Sequence, residues 1–182
     1  MIDKLKSYSE LQPFFTTTLL ENGVGVIIDP SVNEEHYLAI NVDNYYHHLG
    51  LSIIPAIVDL IIVGKEDSLD NFHIFVVEMK NISSSNGFDR KNIYAKFETA
   101  INDFMKKKYA DPFLADCYNV VEFKLFFIAD AYHFIERGIK EEDYDSFLKG
   151  TKIEVLQGMT PFEYKGKFYI IDYKIPNPLL KW

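Results

Sequence analysis

The pattern of hydrophobic and polar positions predicts a strand, a second strand, a helix and a third strand in the middle of the chain. Residues 57–63 and 72–80 are short apolar runs rich in β-branched and aromatic side chains, which are typical of buried strands. The link between them, residues 64–71, is short and polar and therefore favours an antiparallel hairpin. Residues 122–129 predict a further strand.

Residues 90–108 carry the clearest helical periodicity in the sequence. Their apolar side chains recur at spacings that place them on one helical face: Ile93, Phe97, Ala100, Ile101 and Phe104. Three lysines at 106–108 fall in the last turn, where the helix dipole favours cations. We therefore expect one amphipathic helix that packs on the sheet.

The two flanks are less regular. Residues 6–20 predict a helix that stops at Asn22-Gly23, and residues 24–29 predict a short strand. Residues 34–48 fit a helix or a pair of strands. These patterns leave the N-terminal flank partly undecided.

Beyond the central run, residues 140–149 predict a short helix ended by Gly150. Residues 152–174 predict strands, with a turn at Lys165-Gly166-Lys167 between aromatic runs. Residues 83–87 are rich in serine and predict a flexible loop. The mixed order of strands and helices indicates an α/β fold in which a mixed sheet is flanked by helices.

Composition is that of a globular protein. The chain has 182 residues, of which 48% are hydrophobic, and we expect a single domain spanning residues 1–182. The lone Cys117 excludes an intramolecular disulfide framework and a four-cysteine zinc site. The start lacks the apolar run of a signal peptide, and the most apolar stretch, residues 51–63, is too short to cross a bilayer. We therefore expect a soluble, cytoplasmic protein with no membrane partner.

Charge is unevenly distributed along the chain. Residues 1–60 hold two basic and eight acidic side chains, whereas the other 122 residues hold 17 basic and 19 acidic ones. The overall charge of −8 argues against strong nonspecific binding to nucleic acid. It is compatible with a metal-dependent site rich in carboxylates.

Three charged residues stand within or at the end of the two central apolar runs. Asp59 interrupts the first run, where an ionised carboxylate is costly unless it has a partner or a metal. Glu78 and Lys80 end the second run, and their spacing places them on one face of the strand. A hairpin would place Asp59 across from Glu78. Two carboxylates suit Mg²⁺, which could activate a water and neutralise charge on a phosphodiester while Lys80 orients or deprotonates that water.

This combination resembles the PD-(D/E)XK nuclease superfamily, the fold of most type II restriction endonucleases. The matching stretches are residues 55–59 (Pro-Ala-Ile-Val-Asp) and 77–80 (Val-Glu-Met-Lys), followed by a helix and a strand as in that family. The resemblance covers roughly residues 53–130. It departs from the family pattern in one respect, because Pro55 stands four residues before Asp59 and not directly before it.

The resemblance implies a role for each of these side chains. Asp59 and Glu78 would be the ligands of Mg²⁺, and Lys80 would be the catalytic lysine. The family often adds an acid from an N-terminal helix, for which we favour Glu35 among four candidates: Glu10, Glu21, Glu34 and Glu35. Lys91 and Lys96, on the following helix, are candidates for phosphate contacts or for a solvated helix face.

The three-residue pattern of an acid, any residue and lysine is not specific by itself. It occurs five times, at residues 78–80, 89–91, 122–124, 163–165 and 172–174. The serious rival to the first site is Asp172-Tyr-Lys174, with Glu154 as its upstream acid. Pro176 and Pro178 follow the rival closely, so no helix can complete the unit there.

These expectations combine into one leading hypothesis. The resemblance implies a Mg²⁺-dependent endonuclease of the restriction type, which hydrolyses double-stranded DNA and reads a palindrome as a twofold homodimer. A repair, phage, junction or RNA endonuclease of the same fold would use the same residues. From a different class, a non-catalytic binding module built on this scaffold is the alternative, and the acidic first third of the chain would suit a protein partner.

Overall fold

The fold is α/β, with a mixed sheet flanked by helices, as the sequence pattern predicts. The structure is a computed structural model and describes residues 1–67, 70–82 and 88–182, so the loop predicted at 83–87 lies outside the described residues. The strands are Leu20–Glu21 (β1), Val24–Gly25 (β2), Ile27–Ile28 (β3), Tyr37–Asn41 (β4), Leu60–Lys65 (β5), Asn71–Lys80 (β6), Asn119–Ala129 (β7), Phe162–Tyr164 (β8), Lys167–Tyr169 (β9), Ile171–Lys174 (β10) and Leu179–Leu180 (β11).

The central sheet has the strand order β10-β7-β6-β5-β4 within the described parts of the chain. Strands β4 and β6 both run antiparallel to β5, which lies between them, whereas β7 lies parallel to both β6 and β10. The predicted hairpin is therefore confirmed, with Leu60 paired to Val77. The parallel pairing of β6 with β7 requires a crossover connection, which the predicted helix provides.

The helices are Ile2–Lys6 (α1), Val42–His48 (α2), Arg90–Thr99 (α3), Ala110–Leu114 (α4), Tyr144–Leu148 (α5) and Lys152–Gln157 (α6). A π-helical segment at Ala100–Lys108 continues α3, and 3₁₀ turns lie at Gln12–Phe14, Glu34–His36 and Glu141–Asp143. None of the helices in the described ranges has the length and apolar character needed to cross a membrane.

The crossover helix begins and ends where the periodicity predicts. Asp89 caps it, because the Asp89 carboxylate accepts a hydrogen bond of 2.9 Å from the backbone N–H of Lys91. All five apolar residues of the predicted stripe are buried. The second half is π-helical and closes with a bond from the Tyr109 N–H to the Phe104 carbonyl, which hydrophobic spacing alone does not distinguish from an α-helix.

The N-terminal flank differs from the prediction. Helix α1 ends at Lys6, and Pro13 lies in a 3₁₀ turn, because proline lacks the N–H that a longer helix would need. Asn22 and Gly23, with φ values of 51° and 82°, form the two-residue turn of the β1–β2 hairpin and do not end a helix. Residues 34–48 resolve into β4 followed by α2.

The C-terminal flank is partly as predicted. A 3₁₀ turn and α5 occupy the expected short helix, and Gly150 follows at a φ of 74°. Lys165 and Gly166 form the turn between β8 and β9. The strand prediction at the start of 152–174 is wrong, because Thr151 caps helix α6 by accepting a bond from the Glu154 N–H.

Alternating side chains divide the central sheet between two apolar layers. One face packs against the crossover helix through alternate strand residues, namely Ile61, Val63, Ile74, Val76, Leu125 and Phe127. The other face packs against the short strands and the C-terminal residues through Leu60, Ile62, Phe75, Val77, Phe126 and Ile128. The same alternation continues to Asp59, just before the start of β5, and to Glu78, near the end of β6. Both side chains therefore face the crossover helix.

Candidate active site

Asp59 lies immediately before β5, at the edge of the sheet where β6 ends. The backbone of Asp59 accepts a bond of 3.0 Å from the Val42 N–H, and its carboxylate accepts one of 2.6 Å from the Met79 N–H. Continuing the register that pairs Leu60 with Val77 places Asp59 across from Glu78. Strand β5 starts at residue 60, three residues later than predicted. Asp59 nevertheless lies across from Glu78, as the sequence analysis predicts.

Glu78 lies on β6 and faces the crossover helix. Its side chain is 0% exposed, and the Lys96 ammonium stands 2.8 Å from Oε1 and 2.9 Å from Oε2. The contact with Oε2 is a hydrogen bond, whereas Oε1 makes none within the described residues. A buried carboxylate thus has one cation beside it and one oxygen with unused hydrogen-bonding capacity.

Burial and like charge shift the acidity of both carboxylates. Burial, and then the charge of Asp59, raise the pKa of Glu78 to about 8, against the opposing effect of Lys96. Burial also raises the pKa of Asp59, although the Met79 N–H and Lys96 oppose the change. Burial lowers the pKa of Lys96, but Glu78 outweighs that effect, so the pKa of Lys96 is raised. Such mutual effects are typical of functional sites.

An open cleft of about 360 Å³ borders Asp59 and Lys96, whereas the buried Glu78 does not line it. The cleft is lined by residues of β1, α2, β6, α3 and the adjoining loops, namely Glu21, Asn22, Asp43, Asp59, Met79, Lys80, Asn81 and Lys96. Lys80 shares the face of Glu78 by strand alternation and makes no ion pair within the described part of the chain. The predicted trio of Asp59, Glu78 and Lys80 is therefore brought together at one edge of the sheet.

Glu35, the favoured accessory acid, lies away from the cleft. It is exposed in the 3₁₀ turn before Tyr37, whereas the cleft lies at the other end of β4, beyond Asn41. The structure therefore does not bring Glu35 to Asp59 and Glu78. Glu21, another of the four candidates, lines the cleft from the end of β1.

Asp43 is a cleft residue that the sequence analysis missed. It follows Asn41, whose side chain caps α2 by accepting a bond of 2.8 Å from the Asn44 N–H. Both Asp43 and Glu21 contribute to raising the pKa of Asp59. The sequence pattern of residues 34–48 fits a helix or two strands, and neither of these places Asp43 at the site. A strand followed by a helix places Asp43 beside Asp59, at the start of β5.

The two lysines proposed for phosphate contacts differ. Lys96 lines the cleft, but it contacts Glu78. Lys91 is exposed near the start of α3 and is not part of the cleft wall. The structure therefore brings only Lys96 to the predicted site.

The rival motif is not assembled in the same way. Lys174 pairs with Asp172 at 3.3 Å on β10, where both line a groove with Tyr144 and Gln157. The carboxylate of Glu154 instead accepts a bond of 2.6 Å from the Gly150 N–H and does not line that groove. Glu154, the upstream acid of the rival motif, is therefore not brought to Asp172.

The donor chemistry fits Mg²⁺. Among the described residues, no three histidine, cysteine or acidic side chains are grouped for a metal ion. Mg²⁺ commonly uses only one or two carboxylates and completes its coordination with waters and substrate phosphates. Asp59 and Glu78 provide two such carboxylates, and Oε1 of Glu78 accepts no hydrogen bond within the described residues although the Lys96 ammonium lies 2.8 Å from it.

Comparisons with protein-family models, with curated proteins and with solved structures each found no match.

Proposed function

We propose that the protein is a Mg²⁺-dependent endonuclease that hydrolyses DNA phosphodiesters, with the restriction type as the leading form. One observation carries the proposal: Asp59 and Glu78 lie at one edge of the sheet, where Asp59, Lys80 and Lys96 line an open cleft and the buried Glu78 contacts Lys96. The order of hairpin, crossover helix and parallel strand agrees with the nuclease superfamily that the sequence resembles.

Each residue of the trio has a role that its environment supports. Asp59 and Glu78 would hold the ion; when bound, Mg²⁺ supplies Lewis-acid stabilisation of the charge that develops on the phosphodiester. The Met79 N–H fixes the orientation of the Asp59 carboxylate. Lys80 has no competing ion pair within the described residues, so its amine can orient the attacking water or contact a phosphate oxygen.

The experiment is a cleavage assay on mixed plasmid and phage DNA, in Mg²⁺ and in EDTA. We expect discrete fragments with Mg²⁺ and a loss of roughly 10²- to 10⁴-fold in rate for Lys80→Ala, the usual contribution of a positioned proton-transfer group. Lys174→Ala is the matched control, because it removes the lysine of the rival motif, and it should cleave like the wild type.

The pattern of products separates the forms of the proposal. A Mg²⁺-dependent smear would retain the nuclease and remove the sequence-specific form, and cleavage of RNA alone would replace the substrate. Equal losses for Lys80→Ala and Lys174→Ala would contradict the assignment of the site. Sedimentation of the protein on a palindromic duplex tests the proposed homodimer.

The second candidate is a non-catalytic module that binds a basic protein segment. The acidic cleft wall favours it, since Glu21 and Asp43 stand beside Asp59 and no lysine or arginine occurs between residues 7 and 64. Absence of cleavage of DNA and RNA, together with intact folding, would favour this candidate.

A further inference from the structure

Lys96 is the side chain whose position the proposed chemistry does not explain. It comes from the crossover helix, where the buried Ile93 and Phe97 fix the backbone against the sheet. Its ammonium contacts both oxygens of Glu78 at 2.8 and 2.9 Å. Its side chain is 16% exposed, and it also forms part of the cleft wall.

Once Glu78 is ionised, a buried carboxylate without a nearby cation is strongly destabilising, so Lys96 stabilises the ionised form of Glu78 in the free protein. A divalent ion held by Glu78 would need the oxygen lone pairs that now face the ammonium. Two cations on one carboxylate also repel each other strongly in a poorly solvated site. The Lys96 ammonium and a divalent ion therefore compete for the carboxylate of Glu78.

Movement of Lys96 requires no change in the fold. The long side chain lies between the buried carboxylate and the open cleft, so rotation about its own bonds carries the ammonium outward while Ile93 and Phe97 stay packed. In the outward position the ammonium faces the space where a phosphodiester would lie.

We infer that Lys96 is an internal counter-ion of Glu78 that a divalent cation displaces into the cleft when the site is loaded. This inference rests on the proposed function, because it takes Glu78 as a ligand of the ion. Lys96 then stabilises the metal-free protein and places a positive charge at the cleft of the metal-bound protein.

The direct test is nuclear magnetic resonance of the protein with ¹⁵N-labelled lysine. We expect a protected side-chain ammonium signal in EDTA that is absent from Lys96→Gln and is lost as Mg²⁺ is added. Lys91→Gln, on the exposed start of the same helix, is the matched control and should retain the signal. The glutamine at 96 can still donate a hydrogen bond to Glu78, so this variant is the one best able to fold.

Calorimetry without DNA gives the second measurement. At pH 9, where protons compete least for Glu78, Lys96→Gln should bind Mg²⁺ roughly tenfold more tightly than the wild type, since a charge-assisted bond no longer has to be broken. Lys91→Gln should bind it as the wild type does.

The outcomes separate this inference from the nuclease proposal. A Lys96 signal that persists at saturating Mg²⁺, or equal affinities for wild type and Lys96→Gln, overturns the counter-ion role and leaves the nuclease proposal standing. Loss of the signal on Mg²⁺ binding, in a protein that cleaves no nucleic acid, supports the counter-ion role and overturns the nuclease. Absence of Mg²⁺ binding in every variant overturns both.

Discussion

Glu78 makes the stability of the metal-free protein decrease as the pH rises. Burial, and then Asp59, raise the pKa of Glu78 from the ordinary 4.5 to about 8. Between these values the folded protein keeps a proton that the unfolded chain releases, so the free energy of unfolding falls with pH. The contribution is fully present below pH 4.5 and is lost as the pH passes through 8.

The size of the effect follows from the two pKa values. Each pH unit between 4.5 and about 8 corresponds to about 1.4 kcal/mol, which gives at most about 5 kcal/mol in total. Because the Glu78 side chain is 0% exposed, solvent screening does not reduce this figure. It is as large as the whole stability of a marginal domain, which is about 5 kcal/mol.

The perturbation that isolates this contribution is Glu78→Gln, which keeps the shape of the side chain and removes its titration. We would measure urea unfolding of both proteins in EDTA at three pH values between about 5 and 8, where the curve is steepest. The stability of the wild type relative to the variant should fall by about 3 to 4 kcal/mol across that range. Titratable groups that do not interact with Glu78 cancel in the difference.

Glu66→Gln is the matched control, because hydrogen bonds from Asn71 and then His73 lower the pKa of Glu66. Its difference from the wild type should therefore stay nearly constant between about pH 5 and pH 8, because Glu66 is ionised there in both the folded and the unfolded chain. A wild-type advantage over Glu78→Gln that stays constant, or grows, with pH would refute the reasoning. It would show that Lys96 keeps Glu78 ionised throughout.

Three further predictions concern packing, a buried hydrogen bond and DNA affinity. In Gly64→Ala the new Cβ would lie 2.5 Å from the ring of Trp182, so we expect a loss of about 1–3 kcal/mol and a red shift in the fluorescence of this sole tryptophan. Tyr164→Phe removes a hydroxyl that donates to the Phe113 carbonyl at 2.6 Å, which should cost about 1 kcal/mol in urea unfolding. Fluorescence anisotropy should detect binding of a DNA duplex in Ca²⁺ and little binding in EDTA, because the cleft wall is acidic.

Each of these has an outcome that would contradict it. Unchanged tryptophan fluorescence in Gly64→Ala would mean that Trp182 does not pack on β5. No measurable loss for Tyr164→Phe would contradict a stabilising role of the hydroxyl, because phenylalanine keeps the ring and removes only the hydrogen bond. Equal DNA affinity in Ca²⁺ and EDTA would show that a divalent ion is not needed to neutralise the cleft.

The central part of the candidate site could be predicted from the sequence because two strong patterns meet there. Continuous apolar runs fix β5 and β6, and a short polar link fixes their antiparallel pairing. Once the hairpin forms, the register decides that Asp59 faces Glu78. The helical stripe from Ile93 to Phe104 fixes the crossover in the same way.

The rest of the site depends on packing that the local pattern does not encode. Lys96 reaches Glu78 because of the angle at which α3 crosses the sheet, although its position three residues after the buried Ile93 marks it as flanking the buried stripe. Glu21 lies between the helix predicted at residues 6–20 and Asn22-Gly23, a pair that serves equally as a helix stop and as a hairpin turn. The pairing of β1 with β2 determines that Asn22-Gly23 forms a hairpin turn, and this pairing is not encoded in the two residues themselves.

The uneven charge of the sequence acquires a different meaning once the chain is folded. Glu21, Asp43 and Asp59 come from the acidic first third, whereas Lys80 and Lys96 come from the middle of the chain. The β4–β5–β6 meander, the β1–β2 hairpin and α3 bring them to one cleft. Because Lys96 is engaged by the buried Glu78, only Lys80 offsets the three carboxylates of the wall. A phosphodiester would therefore meet net negative charge until a divalent cation is added, whereas a basic peptide would be attracted most strongly without one. Opposite responses to Mg²⁺ thus distinguish the nuclease from the binding module more directly than the net charge of the chain does.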